Sequence, residues 1–548
     1  MKKTFMCNLK FTNIDQSCIV KIIDKLQSKS SCGYDGISTK LLKSIKNEIS
    51  IPLAAIVNQS LNTGIFPDHL KLAKVIPLYK KDDKTIFTNY RPISLLPAIS
   101  KIFERVMFNQ LYEYFQLNKL LFTSQYGFRE GHSTELAALE LIDRVLTEMD
   151  KGNVPICIFL DLSKAFDTLD HQILINKLNY YGVRNIEANL FESYLSDRKQ
   201  YVDFDGTKSD TRSISTGVPQ GSILGPLLFI IYMNDIAELT NLFEMIIYAD
   251  DTTLQSTLNC FTPDPKTNIN VQINSEINQI NEWLRSNKLS LNVAKSKFMV
   301  FHQRNKKFLN PTISINNTPI EKVDSFNFLG ITIDTNLSWK QHINKIGSKI
   351  SRALGILNKL KNYLPLHIKI NMYNSMIASH INYGILAWGS NLTRIEKLQK
   401  KAIRIITCSK YNSHTEPLLK ELNLLKAADT FKLSKLKFYH KFLNKKQPNY
   451  LQNLPLTTNN NIHNHNTRHS QSIHVVRVSH AFAKKSIRWD IPITVNALPS
   501  LIKDKLNTHS LNGFATYTKN YILSKYSYSC NIQNCYICNK HQTDTNVT

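Results

Sequence analysis

The rhythm of apolar and polar positions changes several times along the chain. Residues 1–60 space their apolar side chains at helical intervals, interrupted by a turn at "GYDGIS" (33–38). From 74 to 152, short apolar runs such as "VIPLY" and "ISLLPAIS" alternate with basic turns and with a helical stretch over 99–116. The most apolar part, 156–260, holds "ICIFLDL", helix-spaced "HQILINKLNYYG", the run "ILGPLLFIIYM" (223–233) and "IIYADDTTL" (246–254). The run 223–233 is too short to cross a bilayer and predicts a buried helix. Residues 270–288 read as a helix, and "KFMVF" (297–301) and "FNFLGITID" (326–334) read as strands. Helices alternating with strands predict an α+β or α/β core.

After 340 the strand signals fade and helices take over. In "RIEKLQKKAIRII", Arg394, Lys397, Lys401 and Arg404 recur every three or four positions while Ile395, Leu398, Ala402 and Ile405 face elsewhere. The segment 394–446 holds 14 Lys or Arg against four acids, which suits either a solvated face or a phosphate-tracking one. The tail beyond 455 is Asn- and His-rich and predicts partial disorder around 456–470, before the ordered-looking "IRWDIPITVNALPSLI" (487–502).

Bulk numbers narrow the class. A chain of 548 residues, 42% hydrophobic, is enough for three to four units and several cores. Its 68 Lys plus Arg against 42 Asp plus Glu leave a charge of +26, which favours a polyanionic partner such as nucleic acid; an anionic membrane surface or a lysine-rich genome would also account for it. "MKKTFMCNLKFTNIDQ" has no apolar stretch of signal-peptide length. The nine Cys, mostly scattered, fit a reducing compartment, so a soluble intracellular protein is expected, nuclear or cytoplasmic.

The chemistry begins at Asp250 and Asp251, directly after the apolar Ile246–Ala249. A second apolar strand, Ile156–Leu160, runs into "IFLDLSKAFD" (158–167) and also ends in an acid, Asp161. Side by side in one sheet, the two strands would bring their carboxylates together. Burying such charges unpaired costs several kcal/mol each, and a hard divalent cation removes that cost; oxygen-only ligands select Mg²⁺. Either motif alone is an ordinary strand end or turn. Between them, Gly217, Pro219 and Gly221 in "GVPQGSILGPLLFIIYMND" predict a tight loop, with Gln220 upon it and Ser222 capping the helix beyond.

In order, "NYRPISLLPAISKIFERV", "QYGFREGHST", "FLDLSKAFDTLDH", "GVPQGSILGPLLFIIYMND", "YADDTTL", "WLRSNKLSLNVAKSK" and "FLGITID" resemble the reverse transcriptases of non-LTR retrotransposons of the jockey and CR1 kind. The motifs cover about 75–335, and a looser resemblance runs to about 525. The resemblance implies an α+β right-hand polymerase: an N-terminal extension (1–73), fingers and palm (74–335), a helical basic thumb region (336–455) and a C-terminal region (456–548). It implies RNA-directed DNA synthesis with an RNA template, a DNA primer, deoxynucleotides and two Mg²⁺ ions held by Asp161, Asp250 and Asp251.

By the same resemblance, Phe166 packs under the sugar of the incoming nucleotide and excludes a 2′-hydroxyl, and Gln220 contacts that nucleotide or its template base. Arg91 and Lys80, or Lys81 in its place, would hold the triphosphate, and Arg129 would touch the template backbone. Lys297, or Lys295, would protonate the departing pyrophosphate, and the hairpin containing Gly330 would grip the primer terminus. Such elements carry an endonuclease upstream, and with some 75 residues before the fingers motifs the chain is expected to be truncated or partial. That leaves a nucleic-acid-binding remnant as the alternative; an RNA-synthesising polymerase is opposed by Phe166. Separately, Cys530, Cys535, Cys538 and His541 supply four zinc-type ligands within twelve residues, spaced unlike the usual zinc knuckles.

Overall fold

A five-stranded sheet divides the protein into two apolar cores. The computed structural model describes residues 7–258, 265–303, 311–463 and 468–526. Its central sheet runs in the order Glu321–Lys322, Lys297–Val300, Val154–Leu160, Asp251–Leu258, Glu244–Tyr248, antiparallel throughout except at the first pair. Val154–Leu160 is buried along its whole length because both faces are covered. Ile156, Ile158 and Leu160 point into one core, while Cys157 and Phe159 point into the other.

The first core gathers the helices Lys46–Thr63, Ala98–Leu117, His171–Tyr180, Asn185–Leu195 and Gly225–Tyr232. The expected apolar helix within 223–233 is Gly225–Tyr232, and every one of its residues except Pro226 is buried. The second core starts at helix Thr134–Asp150, whose Ala137, Leu141, Val145 and Met149 face the sheet or the later helices. It continues into Lys340–Leu360, Thr393–Ile406, Ala427–Leu443 and Leu511–Ser524.

A second five-stranded sheet joins Tyr90–Leu95, Leu72–Tyr79, Arg198–Phe204 and Thr207–Lys208, with Arg212–Ile214 on the side of Arg198–Phe204. Its hairpin Leu72–Tyr79/Tyr90–Leu95 places Arg91 opposite Leu78. "FNFLGITID" forms a separate hairpin, Ser325–Phe328 and Ile331–Asp334, turning at Leu329 and Gly330, both at positive φ.

The basic helix is amphipathic as expected: Ile395, Ala402 and Ile405 are buried, while Arg394, Lys397 and Lys401 are exposed. Of 456–470, residues 456–463 and 468–470 are described and ordered in part by tertiary contact, with Leu456 buried and Thr458 bridged to Ile473. Among the described residues, no helix is long and apolar enough to cross a membrane. Cys530, Cys535, Cys538 and His541 lie outside the described residues.

Candidate active site

The strand register brings the acids together. Leu160 sits opposite Thr252, so one step further Asp161 comes level with Asp251. Tyr248 pairs with Asp251 across a two-residue turn of Ala249 and Asp250. Asp161, Asp251 and Lys295 line one cleft of about 80 Å³ together with Phe326 and Leu329 of the later hairpin.

The electrostatics follow from burial and from the neighbouring charges. The Asp251 carboxyl is pushed up to about 6, first by loss of hydration in the cleft and then by the Asp250 and Asp161 charges. Asp250 is also raised, mainly by burial and then by Asp161, while its own backbone amide, Arg91 and Lys80 pull it back. Asp161 remains partly exposed, and its backbone is fixed by Asn292, which donates to its carbonyl at 2.8 Å, and by the Ser296 hydroxyl, which accepts from its amide at 3.3 Å.

The donor set fits Mg²⁺, being oxygen-only, anionic and open to solvent. Among the described residues, no group of three or more His, Cys, Asp or Glu side chains is already gathered around a metal position.

Lys295 and Lys297 are separated by the fold. Lys295 Nζ lies 3.8 Å from Asp161 Oδ2 and is mostly exposed, whereas Lys297 is ion-paired with Glu321 and donates to the Ala294 carbonyl at 3.1 Å. At the hairpin Leu72–Tyr79/Tyr90–Leu95, Lys81 pairs with Asp82 at 3.6 Å, while Lys80 and Arg91 are exposed and act on Asp250.

Phe166 is half-buried, stacked on Phe229 and edge-on to Phe128. Gln220 donates to Asp167 Oδ1 at 2.8 Å, and its carbonyl accepts from Ser94 N at 2.8 Å, tying the "GVPQGS" loop to the second sheet. Gly217 is required there: it has φ +80°, and a Cβ would sit 2.6 Å from the Asp167 carbonyl oxygen. Ser222 Oγ accepts from Gly225 N at 3.0 Å, but the N-cap position of the helix is Leu224, not the expected Ser222.

Arg129 turns inward, donating from Nη1 to the carbonyls of Phe122 at 2.7 Å and Gln125 at 3.3 Å. It acts as a clamp on its own loop. Gly330, at φ +87°, packs against the Tyr383 ring, whose hydroxyl donates to the Leu329 carbonyl.

Two residues were missed in the sequence. Glu104 is fully buried and its carboxylate accepts from the Ile223 and Leu224 amides, holding the end of the Gln220 loop. Gln125 is buried against the Ala249–Asp250 turn. Both stand inside the quoted motifs, and neither residue type in a helix or polar loop signals burial.

The profile of the reverse transcriptase (RNA-dependent DNA polymerase) family matches residues 79–333. Residues 79–333 of this chain belong to that family, and their α+β fold is the family's right-hand polymerase fold. Its relatives place it with the non-LTR retrotransposons: it is 28% identical over 448 residues to the RNA-directed DNA polymerase from mobile element jockey of Drosophila melanogaster, covering 78% of this chain and 48% of that one. It is 30% identical over 430 residues to the probable RNA-directed DNA polymerase from transposon BS of the same species, covering 74% and 46%. The chain thus spans about half the length of the curated relatives it matches. Among solved structures, telomerase from Candida albicans in complex with a fragment of telomeric RNA covers 71% of the chain at 13% identity and a TM-score of 0.38.

Proposed function

We propose that this chain extends a DNA primer along an RNA template by two-metal nucleotidyl transfer. The observation that carries the reading is the convergence of Asp161, Asp250 and Asp251 at the ends of paired strands, with Asp250 raised in proton affinity by burial and by Asp161, and Asp251 by burial, Asp250 and Asp161. Mutual repulsion of this kind is the state a bound dication relieves.

In this reading Asp161 and Asp250 hold Mg²⁺, with Asp251 beside them. When bound, the ions ease ionisation of the primer 3′-hydroxyl and neutralise charge on the leaving pyrophosphate. Lys80 and Arg91 hold the triphosphate, the first as a point charge and the second bidentate. Lys295 gives its ammonium proton to the departing pyrophosphate oxygen. Phe166, backed by Phe229, closes the floor under the sugar, and Gln220, oriented by Asp167, faces the base pair being formed. The hairpin turning at Leu329 and Gly330 seats the primer end, on the same cleft as the carboxylates. The helices of 336–455 act as the thumb, tracking the duplex backbone with Lys397, Lys400 and Lys401, which are exposed.

The test is primer extension on an annealed RNA template with Mg²⁺ and deoxynucleotides, beside Asp250→Asn. Extension that vanishes in the variant supports the reading. Salt-sensitive RNA binding without any extension, by folded protein, would overturn it.

A further inference from the structure

We infer that Gln125 is a positioning residue that sets the aim of Asp250 through the backbone of Ala249. This rests on the reading of Asp250 as a metal-holding carboxylate.

The turn that presents Asp250 is under strain. Ala249 has φ +57°, a conformation that disfavours any residue with a Cβ. It occupies the first position of the two-residue turn between Tyr248 and Asp251, where the sheet offers its amide no ladder partner. That amide donates instead to Gln125 Oε1 at 3.1 Å. The same oxygen accepts from Gly127 N at 2.8 Å, so one side-chain carbonyl holds two loops in register.

The contact is close enough to dictate its neighbours. A Cβ on Gly127 would lie 2.4 Å from Ala249 N, so only glycine lets this backbone approach. Gln125 is itself locked: it is 3% exposed and forms a parallel bridge to Ile247. Tyr126 N donates to the Ile247 carbonyl at 2.7 Å, and Ile247 N donates to the Ser124 carbonyl at 3.0 Å. Behind it, Glu140 accepts from the hydroxyls of Ser124 and Tyr126, and Arg144 joins Glu140 at 2.9 Å to Glu244 at 3.2 Å, at the start of the strand leading to the turn. The acceptor is therefore immobile, and the amide it holds belongs to the residue before Asp250.

A fixed acceptor selects one orientation of the 248–249 peptide and hence one direction for the following side chain. Without it the turn can relax toward unstrained backbone angles, which moves Asp250 away from Asp161 while the rest of the sheet stays paired.

The test uses full-length Gln125→Leu, which removes the acceptor at similar volume, Gln125→Glu, which keeps it, and Asp250→Asn as reference. Gln125→Leu should raise the Mg²⁺ concentration for half-maximal primer extension and lower kcat about tenfold, the worth of one strong buried hydrogen bond, with KM for deoxynucleotide and affinity for primer–template unchanged. Gln125→Glu should recover most of both. Hydrogen exchange gives an activity-independent readout: the Ala249 amide should lose protection in Gln125→Leu while the Ile247 amide keeps it. If the leucine variant does not fold, Gln125→Asn, one methylene too short to reach, replaces it.

An unchanged Mg²⁺ dependence with an unchanged Ala249 exchange rate would overturn the inference. So would a loss of the same size in Gln125→Glu. Full activity in Asp250→Asn would overturn the metal reading instead, and the exchange result would still decide whether Gln125 holds the turn.

Discussion

Phe166 and Phe229 lie nearly face to face, ring centroids 4.3 Å apart and planes 21° from parallel. Phe229 is fully buried in the helix Gly225–Tyr232, so it cannot retreat, and Phe166 has a fixed floor. Phe166→Val should open space under the sugar and weaken discrimination against ribonucleotides roughly 10- to 100-fold, the usual worth of steric selection in a packed pocket. Comparing kcat/KM for paired deoxy- and ribonucleotides measures it. No change in the ratio would remove Phe166 from the gate.

Lys295 and Lys297 should part company on mutation. Lys295→Leu should slow single-turnover extension roughly 100-fold or more, as loss of a general acid does, and flatten the alkaline limb of the pH profile. Lys297→Leu, which breaks a pair with the exposed Glu321 and a hydrogen bond to the Ala294 carbonyl, should change the rate less than about threefold. The reverse ranking would return the proton-donor role to Lys297.

The raised Asp251 carboxyl gives stability a pH dependence. Its folded-state pKa of about 6 lies above that of an unfolded aspartate, so the folded state binds the extra proton. Its stabilising share is complete below the unfolded pKa and is lost as pH rises through about 6. With EDTA present, the protein should melt lower at pH 7 than at pH 5, and Asp251→Asn should shrink that gap by raising the pH 7 value. Mg²⁺ should raise the melting temperature more at pH 7 than at pH 5, because it binds the ionised form. Equal gaps in wild type and variant would contradict the assignment.

Much of the site was legible because it is written in local patterns. Strands that end in acids, an apolar helix too short for a membrane and a glycine-rich loop announce themselves through periodicity and residue type. What stayed hidden depends on distant partners. Glu104 looks like a surface acid on an amphipathic helix until the amides of Ile223 and Leu224 arrive. Lys295 and Lys297 differ only because Glu321, 24 residues beyond Lys297, takes the latter. Arg129 seems free for a phosphate, yet the carbonyls of Phe122 and Gln125 capture it. Gln125 itself is one amide in a polar loop, and its meaning lies in a turn 124 residues away.

The buried carboxylate of Asp143 is held by Arg488 Nε at 2.7 Å, the Tyr450 hydroxyl at 2.9 Å and the Ser486 hydroxyl at 2.9 Å. Removing the cation leaves a charge inside the second core. Arg488→Met should cost about 3 kcal/mol in urea unfolding, and adding Asp143→Leu should restore part of it. A cost below about 1 kcal/mol would mean the two hydroxyls suffice.

That Asp143 contact has a practical bearing. The family profile ends at residue 333, yet the helix Thr134–Asp150 inside it has its far side covered by residues beyond 440. A fragment expressed to the profile's limits would present Asp143 and an uncovered apolar surface to water, and aggregation is its expected fate. The stretch that evolution copies as a recognisable domain and the stretch that can stand alone in a test tube are here two different lengths of chain.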